Sequence, residues 1–169
     1  DPLRRIDIGT EHFQVRFRRV LDAENEWSLQ YYHTRNRKQD DFVTATPFGF
    51  VPVDFGYTQW RDDIEFQRIT RASDRVRLVW GAEARREGVK APGYFYDRGA
   101  DTGTLHRAFG NVEWRPAPDW IVNAGALAEH HYLSGFDVAP RLAVNFLPVA
   151  EHALRASVTQ AYRSPTFFE

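Results

Sequence analysis

Six histidines, two clusters of charge and two turn-rich stretches crowded with aromatics are where this 169-residue chain could do chemistry. His130 and His131 are adjacent, and His12, His33, His106 and His152 are scattered. On a strand, neighbouring residues point to opposite faces, so the adjacent pair cannot share one ion, and a structural or solvated role without metal or cofactor is expected. Asp62-Asp63 with Glu65, and Arg85-Arg86 with Glu87, invite an acid–base interpretation. No nucleophile with a poised base accompanies them, which argues against an enzyme. Asp63 and Glu65 share a strand face with Arg61 and Gln67, and Arg77, Glu83 and Arg85 continue the pattern on the next strand, as a polar ladder would. The aromatics are better binding candidates. Phe48, Phe50, Phe55 and Tyr57 in one stretch, and Tyr94, Phe95, Tyr96 with Arg98 in the next, offer stacking faces and a cation to a flat anionic ligand. The competing explanation is that these rings stabilise exposed loops by stacking on one another.

The elements that must position these residues are strands. Phe13, Val15 and Phe17 alternate with polar neighbours, as do Trp27, Leu29 and Tyr31, and Val76, Leu78, Trp80, Ala82 and Ala84. The pattern returns at Trp120, Val122, Ala124, Ala126 and Ala128, at Val138, Pro140, Leu142, Val144 and Phe146, and at Leu154, Ala156 and Val158. Weaker segments at 58–70 and 105–115 bring the tally to about eight strands, with no convincing amphipathic helix.

Composition narrows the function classes. Lys+Arg (22) and Asp+Glu (23) leave a formal charge of -1, so no basic field draws the chain to nucleic acid. Without cysteine it has no disulfide, thiolate site or thiol catalysis. The start at Asp1-Pro2 and the lack of methionine suggest a processed product or an excerpt of something longer. No apolar run approaches the roughly 20 residues of a spanning helix, and mean hydropathy is -0.54. A membrane barrel remains compatible, because its strands are only half apolar.

Short and long connections alternate. Residues 22–25, 71–74, 116–119 and 148–151 are brief, whereas 40–57 and 88–103 are long and turn-rich, with 133–137 of modest length. Outer-membrane barrels sort their loops in this way, short on the periplasmic side and long outside. Four of the five tryptophans lie at strand ends: Trp27, Trp114 and Trp120 beside short turns, and Trp60 where the long 40–57 stretch rejoins its strand. Amphipathic rings collect at the edges of a barrel's apolar band, so these four are expected to form an interface girdle.

Four blocks then resemble a known family: residues 77–83 (RLVWGAE), 109–116 (FGNVEWRP), 139–143 (APRLA), and the closing 154–157 (LRAS) to Tyr162-Arg163-Ser164-Pro165-Thr166 with Glu169. Their types and order are similar to the barrel of TonB-dependent outer-membrane receptors. Tyr162, Arg163, Pro165 and Glu169 are the family-motif residues. One departure is Leu127 after Ala124-Gly125-Ala126, where family strands tend to carry arginine. The resemblance implies an all-β, antiparallel β-meander forming part of a transmembrane outer-membrane β-barrel. Residues 1–169 would then be one partial barrel domain, since the largest such transporters have about 22 strands. The plug domain and the rest of the barrel would lie elsewhere, as would the segment that contacts TonB.

The same resemblance implies a Gram-negative outer-membrane location with lipid as a partner. It also implies binding and active import of a scarce nutrient, a ferric siderophore being the leading candidate. Two alternatives stay open. A small self-contained barrel with a structural or adhesive role needs about eight strands, but expects both termini on the short-turn side. A soluble lipocalin-like barrel expects the apolar faces to point inward.

Overall fold

The computed structural model describes residues 4–95, 99–149 and 151–165. Its strands in chain order are β1 (Asp7–Val20), β2 (Glu26–Gln39), β3 (Asp41–Thr46), β4 (Gly49–Asp54), β5 (Tyr57–Ser73), β6 (Val76–Lys90), β7 (Ala100–Ala117), β8 (Trp120–His131), β9 (Gly135–Val149) and β10 (His152–Thr159). Eight of them make one sheet in the order β1-β2-β5-β6-β7-β8-β9-β10, and β3 and β4 make a separate hairpin. Every pairing is antiparallel. The expected meander is the fold, and among the described residues there is no helix. The sheet does not close on itself, because β1 and β10 are its two edges, which removes the small self-contained barrel as a description of this sheet.

Register carries the sequence pattern across seven of the eight strands of the large sheet. One row runs Phe17, Leu29, Phe66, Ala82, Ala108, Ala128 and Val138, entirely apolar. The adjacent row, one residue along, reads Arg16, Gln30, Glu65, Glu83, Arg107, Glu129 and Asp137. Side chains alternate with period two, so these rows face opposite ways, and a one-residue slip in any pairing would thrust charges into the apolar face.

Among the described residues nothing covers that apolar face. Their buried hydrophobic core is Val89, Ala91, Leu105 and Ala143, while Ile64, Trp80, Leu142 and Val158 are exposed. A lipocalin-like barrel would bury such residues inward, and the single layer seen here does not. A contiguous bare apolar surface of this kind marks contact with another apolar medium.

The connections sort by edge. β1–β2, β5–β6, β7–β8 and β9–β10 join through short turns at one end, and β2–β5, β6–β7 and β8–β9 join at the other. In the first turn the Asp22 carboxylate accepts from the Glu24 amide (2.9 Å) and from Asn25 Nδ2 (2.8 Å), tying the corner together. Two expectations need correcting. The 40–57 stretch is no irregular loop but carries the β3–β4 hairpin, whose Pro52 and Gly49 broke the alternation that marks strands. The 88–103 and 133–137 loops shrink to 91–99 and 132–134, because strand pairing continues past the apolar residues into polar sequence. Backbone hydrogen bonding needs no greasy side chain.

Gly81 illustrates how tightly the strands are seated. A Cβ there would lie 2.3 Å from the Phe66 carbonyl oxygen and 2.5 Å from Phe109 Cζ, whose ring crosses the glycine from the paired strand. By strand propensity alone, Gly81→Val should stabilise. The close approach predicts the reverse, a loss of about 1–3 kcal/mol, read as a lower urea midpoint of the full-length protein.

Candidate functional site

The polar face is wired by ion pairs that cross strands. Arg85 binds Asp63 (2.8 Å) on β5 and Glu83 (2.7 Å) on its own strand. Glu83 also meets Arg107 (3.4 Å) on β7, and Arg107 in turn binds Glu129 on β8. Glu129 accepts a hydrogen bond from Ser164, so the 160–165 segment folds back onto this face. One step towards the long loops, Arg61 pairs with Glu87 (3.2 Å). The carboxylates of Glu83, Glu87 and Glu129 are nearly buried, yet each has a guanidinium, which is what makes their burial tolerable. The ladder read at Arg61, Asp63, Glu83 and Arg85 therefore exists, and it extends to Glu87, Arg107 and Glu129. Glu87 stood in sequence beside Arg85 and Arg86, whereas Arg107 and Glu129 stood as single charges, and only the register brings all three into the ladder.

The long connections build a second assembly. Asp40, 1% exposed, sits where β2 leaves the sheet for the hairpin. It accepts two hydrogen bonds from Arg4 and a salt bridge from Lys38 Nζ (2.6 Å), so its charge is compensated on both oxygens. The Arg4 guanidinium lies over the Phe42 ring at 4.0 Å from its centroid, Phe42 contacts Phe55 at 5.8 Å, and Phe55 contacts Tyr94 at 5.5 Å. The Phe55 amide donates to the Asp40 carbonyl (2.9 Å), closing the hairpin's base. Gly93 lies so near this base that a Cβ would be 1.6 Å from the Asp54 carbonyl oxygen, so the 91–95 turn docks directly on it. Hydrogen bonding by Arg4, and next by Lys38, holds the Asp40 carboxyl below its ordinary 3.8.

The candidate binding aromatics thus divide. Phe55 and Tyr94 belong to the packed base, with Tyr57 and Phe95 half-buried beside it. Phe48 and Phe50 stand at the hairpin tip, 100% and 81% exposed. The hairpin tip is turned by Gly49 at φ 125, with Thr46 Oγ1 donating to the Gly49 carbonyl (2.8 Å). Tyr96 and Arg98 lie outside the described residues. His131 is buried on the polar face, 2% exposed, and its neighbour His130 is on the apolar one.

On the apolar face, Phe17, Trp27, Phe66 and Trp80 form a chain of ring contacts at 5.2, 6.1 and 5.5 Å near the short turns. Trp120 stacks on Phe146 at 4.5 Å, and Trp114 stands at the end of β7 beside the same edge. Trp80, by sequence pattern an ordinary strand residue, joins the aromatic row. Trp60 is on the same face at the long-loop end. Of the motif residues, Tyr162 is exposed and Pro165 half-buried in the folded-back segment with Arg163, while Glu169 lies outside the described residues.

This architecture has close counterparts among solved structures. A ferric enterobactin receptor, PfeA, of Pseudomonas aeruginosa superposes with a TM-score of 0.74 at 16% identity, over 94% of this chain and 26% of that one. The siderophore receptor PirA of Pseudomonas aeruginosa superposes at 0.62 with 10% identity, over 96% of this chain and 36% of that one. The chain spans about a quarter to a third of the receptors it matches. No curated protein sequence matches it. The TonB dependent receptor-like β-barrel family matches residues 2–169, and the chain belongs to that family as a portion of its barrel.

Proposed function

We propose that this chain is part of the outer-membrane wall of a Gram-negative receptor that captures a scarce nutrient, a ferric siderophore first among candidates, and imports it with energy drawn through TonB. The observation that carries this reading is the division of one sheet into a bare apolar face and an ion-paired polar face, with a braced hairpin raised at one edge. Lipid suits the first face and a lumen the second. The aromatic row near the short turns suits the inner membrane-water boundary, and Trp60 the outer one. Ligand capture falls to the hairpin tip, where Phe48 and Phe50 offer two uncommitted rings on a rigid stalk. The kinship with receptors whose names specify ferric enterobactin and siderophores supports the ligand class.

Replacing both Phe48 and Phe50 with alanine in the intact receptor should weaken binding of its ferric siderophore by about tenfold or more, at about 1 kcal/mol or so per stacking ring, and leave the thermal midpoint unchanged. Unchanged affinity in a titration with the iron-loaded ligand would refute the tip's role.

The Asp40 clamp makes a separate prediction. A carboxyl whose folded value is depressed contributes fully above its unfolded value of 3.8 and loses that contribution as pH falls through the folded value. Amide exchange in residues 41–54, corrected for intrinsic rates, should therefore stay flat from neutral pH down to about 4 and accelerate below it. The Asp40→Asn variant should exchange fast at neutral pH.

A further inference from the structure

The geometry that keeps His130 from sharing an ion with its neighbour His131 does not hold across strands. His106 on β7 stands directly opposite His130 on β8 in register. Residues opposed in an antiparallel pair point to one face, with Cβ atoms about 4.5–5.5 Å apart, so the two imidazoles are within reach of a single ion. Both histidines are exposed, and both lie on the apolar face. Among the described residues neither has a hydrogen-bond or ion-pair partner, whereas His33 Nδ1 is held by Asp62 (2.8 Å) and His131 Nδ1 accepts from the Leu133 amide (3.2 Å).

The neighbours leave room for an ion. One step along the same face Ala108 opposes Ala128, and His106 meets Ala84 on β6, so small side chains border the pair on two sides. On β9 His130 meets Phe136, which carries no charge. Glu129 and Asp137 point to the other face, paired with one another in register. The charged groups on the pair's own face are Arg86 on β6, diagonal to His106, and Asp62 on β5, which stands opposite Arg86 and offsets its repulsion of a cation. His106 shares a shallow depression with both, and with Asp63 and Arg85, which bind each other at 2.8 Å. Among the described residues no cluster of three or more His, Cys, Asp or Glu side chains forms a metal site, so two imidazoles are the protein's share and water must supply the rest.

The pair is within reach of water. His106 is eight residues from Trp114 along β7, and His130 is ten from Trp120 along β8, rises of about 27 and 34 Å. A tilt of about 40° leaves about 20 and 26 Å along the membrane normal, against roughly 25 Å for a barrel's apolar band. With Trp114 and Trp120 at one boundary, the histidines lie at the other. This placement rests on the membrane orientation proposed above, whereas the pairing of the two side chains rests on register alone.

We propose that His106 and His130 hold one divalent transition-metal cation, Zn2+ or Cu2+, through an imidazole nitrogen from each strand, with water completing the shell. Imidazole suits these borderline cations, and Mg2+ prefers oxygen. Leu105 opposite His131 is the last rung of the β7–β8 ladder, and the histidine pair is the rung before it, so the ion clips the two strands where their pairing ends.

The test titrates Zn2+ by calorimetry into the full-length protein, carrying no histidine tag, and into His106→Gln, His130→Gln and a control, His152→Gln, whose opposite residue is Val149. The wild type and the control should bind one more zinc per chain than either of the first two variants. Removing a ligand outright should weaken binding at least as much as disturbing a ligand's hydrogen-bond partner does, about tenfold or more. Cu2+ should displace the zinc and Mg2+ should not. Zinc should also slow amide exchange in residues 104–106 and 129–132 of the wild type, and in neither variant. Unchanged zinc binding in either single variant would overturn the proposal, as would displacement by Mg2+. If a variant lacks the circular dichroism of the folded wild type, the wild type decides alone. Zinc must then shield His106 and His130 from acylation by diethyl pyrocarbonate, read by mass spectrometry, and equal acylation with and without zinc refutes the site.

Discussion

A backbone amide placed in hydrocarbon has no water to bond, and everything else in this structure depends on how the chain meets that constraint. The antiparallel ladder answers it strand by strand, each pair satisfying the donors and acceptors of the next. With the backbone committed, side chains are left to alternate, and the alternation sets two chemistries back to back across one layer. The apolar rows need no partner inside the protein. The charged rows need one another, which is why Arg85 and Arg107 each bridge two carboxylates and not one. A single register shift would cost both faces at once.

The same logic divides labour between wall and loops. Strands β2 and β5 to β9 are fixed by pairing on both sides. The β3–β4 hairpin stands outside the eight-stranded sheet and has only its own pairing plus what holds its base. Arg4, Lys38 and Asp40 supply that hold with charge, and Phe42, Phe55 and Tyr94 supply it with ring contacts. An isolated two-stranded hairpin is marginal in water, so such a brace is what allows its tip to stay bare. Of the aromatics that could offer a ligand surface, Phe55 and Tyr94 instead brace the hairpin's base.

How far sequence could go follows from what each signal encodes. Period two is local, so the strands around Trp27, Val76, Trp120 and Val138 were legible, as was the sorting of short and long connections. Polar stretches such as 86–90 and 100–104 carry no apolar alternation, and their strand pairing is set only by the neighbour they continue beside. The hairpin was hidden for a different reason, its Pro52 and Gly49 imitating a loop. Salt-bridge partners from different strands, such as Arg107 with Glu129, are far apart in sequence and become neighbours only through register. The family's blocks located the chain in a barrel without distinguishing the rings at the hairpin's base from those at its tip. Trp80 joins the aromatic row because the strands are staggered, an offset that no single strand reveals.

The central claim is that the apolar rows face lipid and the charged rows face an aqueous lumen. The chain has no cysteine, so single cysteines introduced within it meet no competing thiol in this segment. Spin labels at Leu78, Val122 and Leu142 on one face, and at Gln67, Asn123 and Ala143 on the other, can be read in the intact receptor in native membranes by collision with oxygen and with a water-soluble nickel complex. The account predicts oxygen-dominated collisions at the first three and nickel-dominated collisions at the second three. Nickel access at Leu78, Val122 and Leu142 equal to that at the other positions would contradict it.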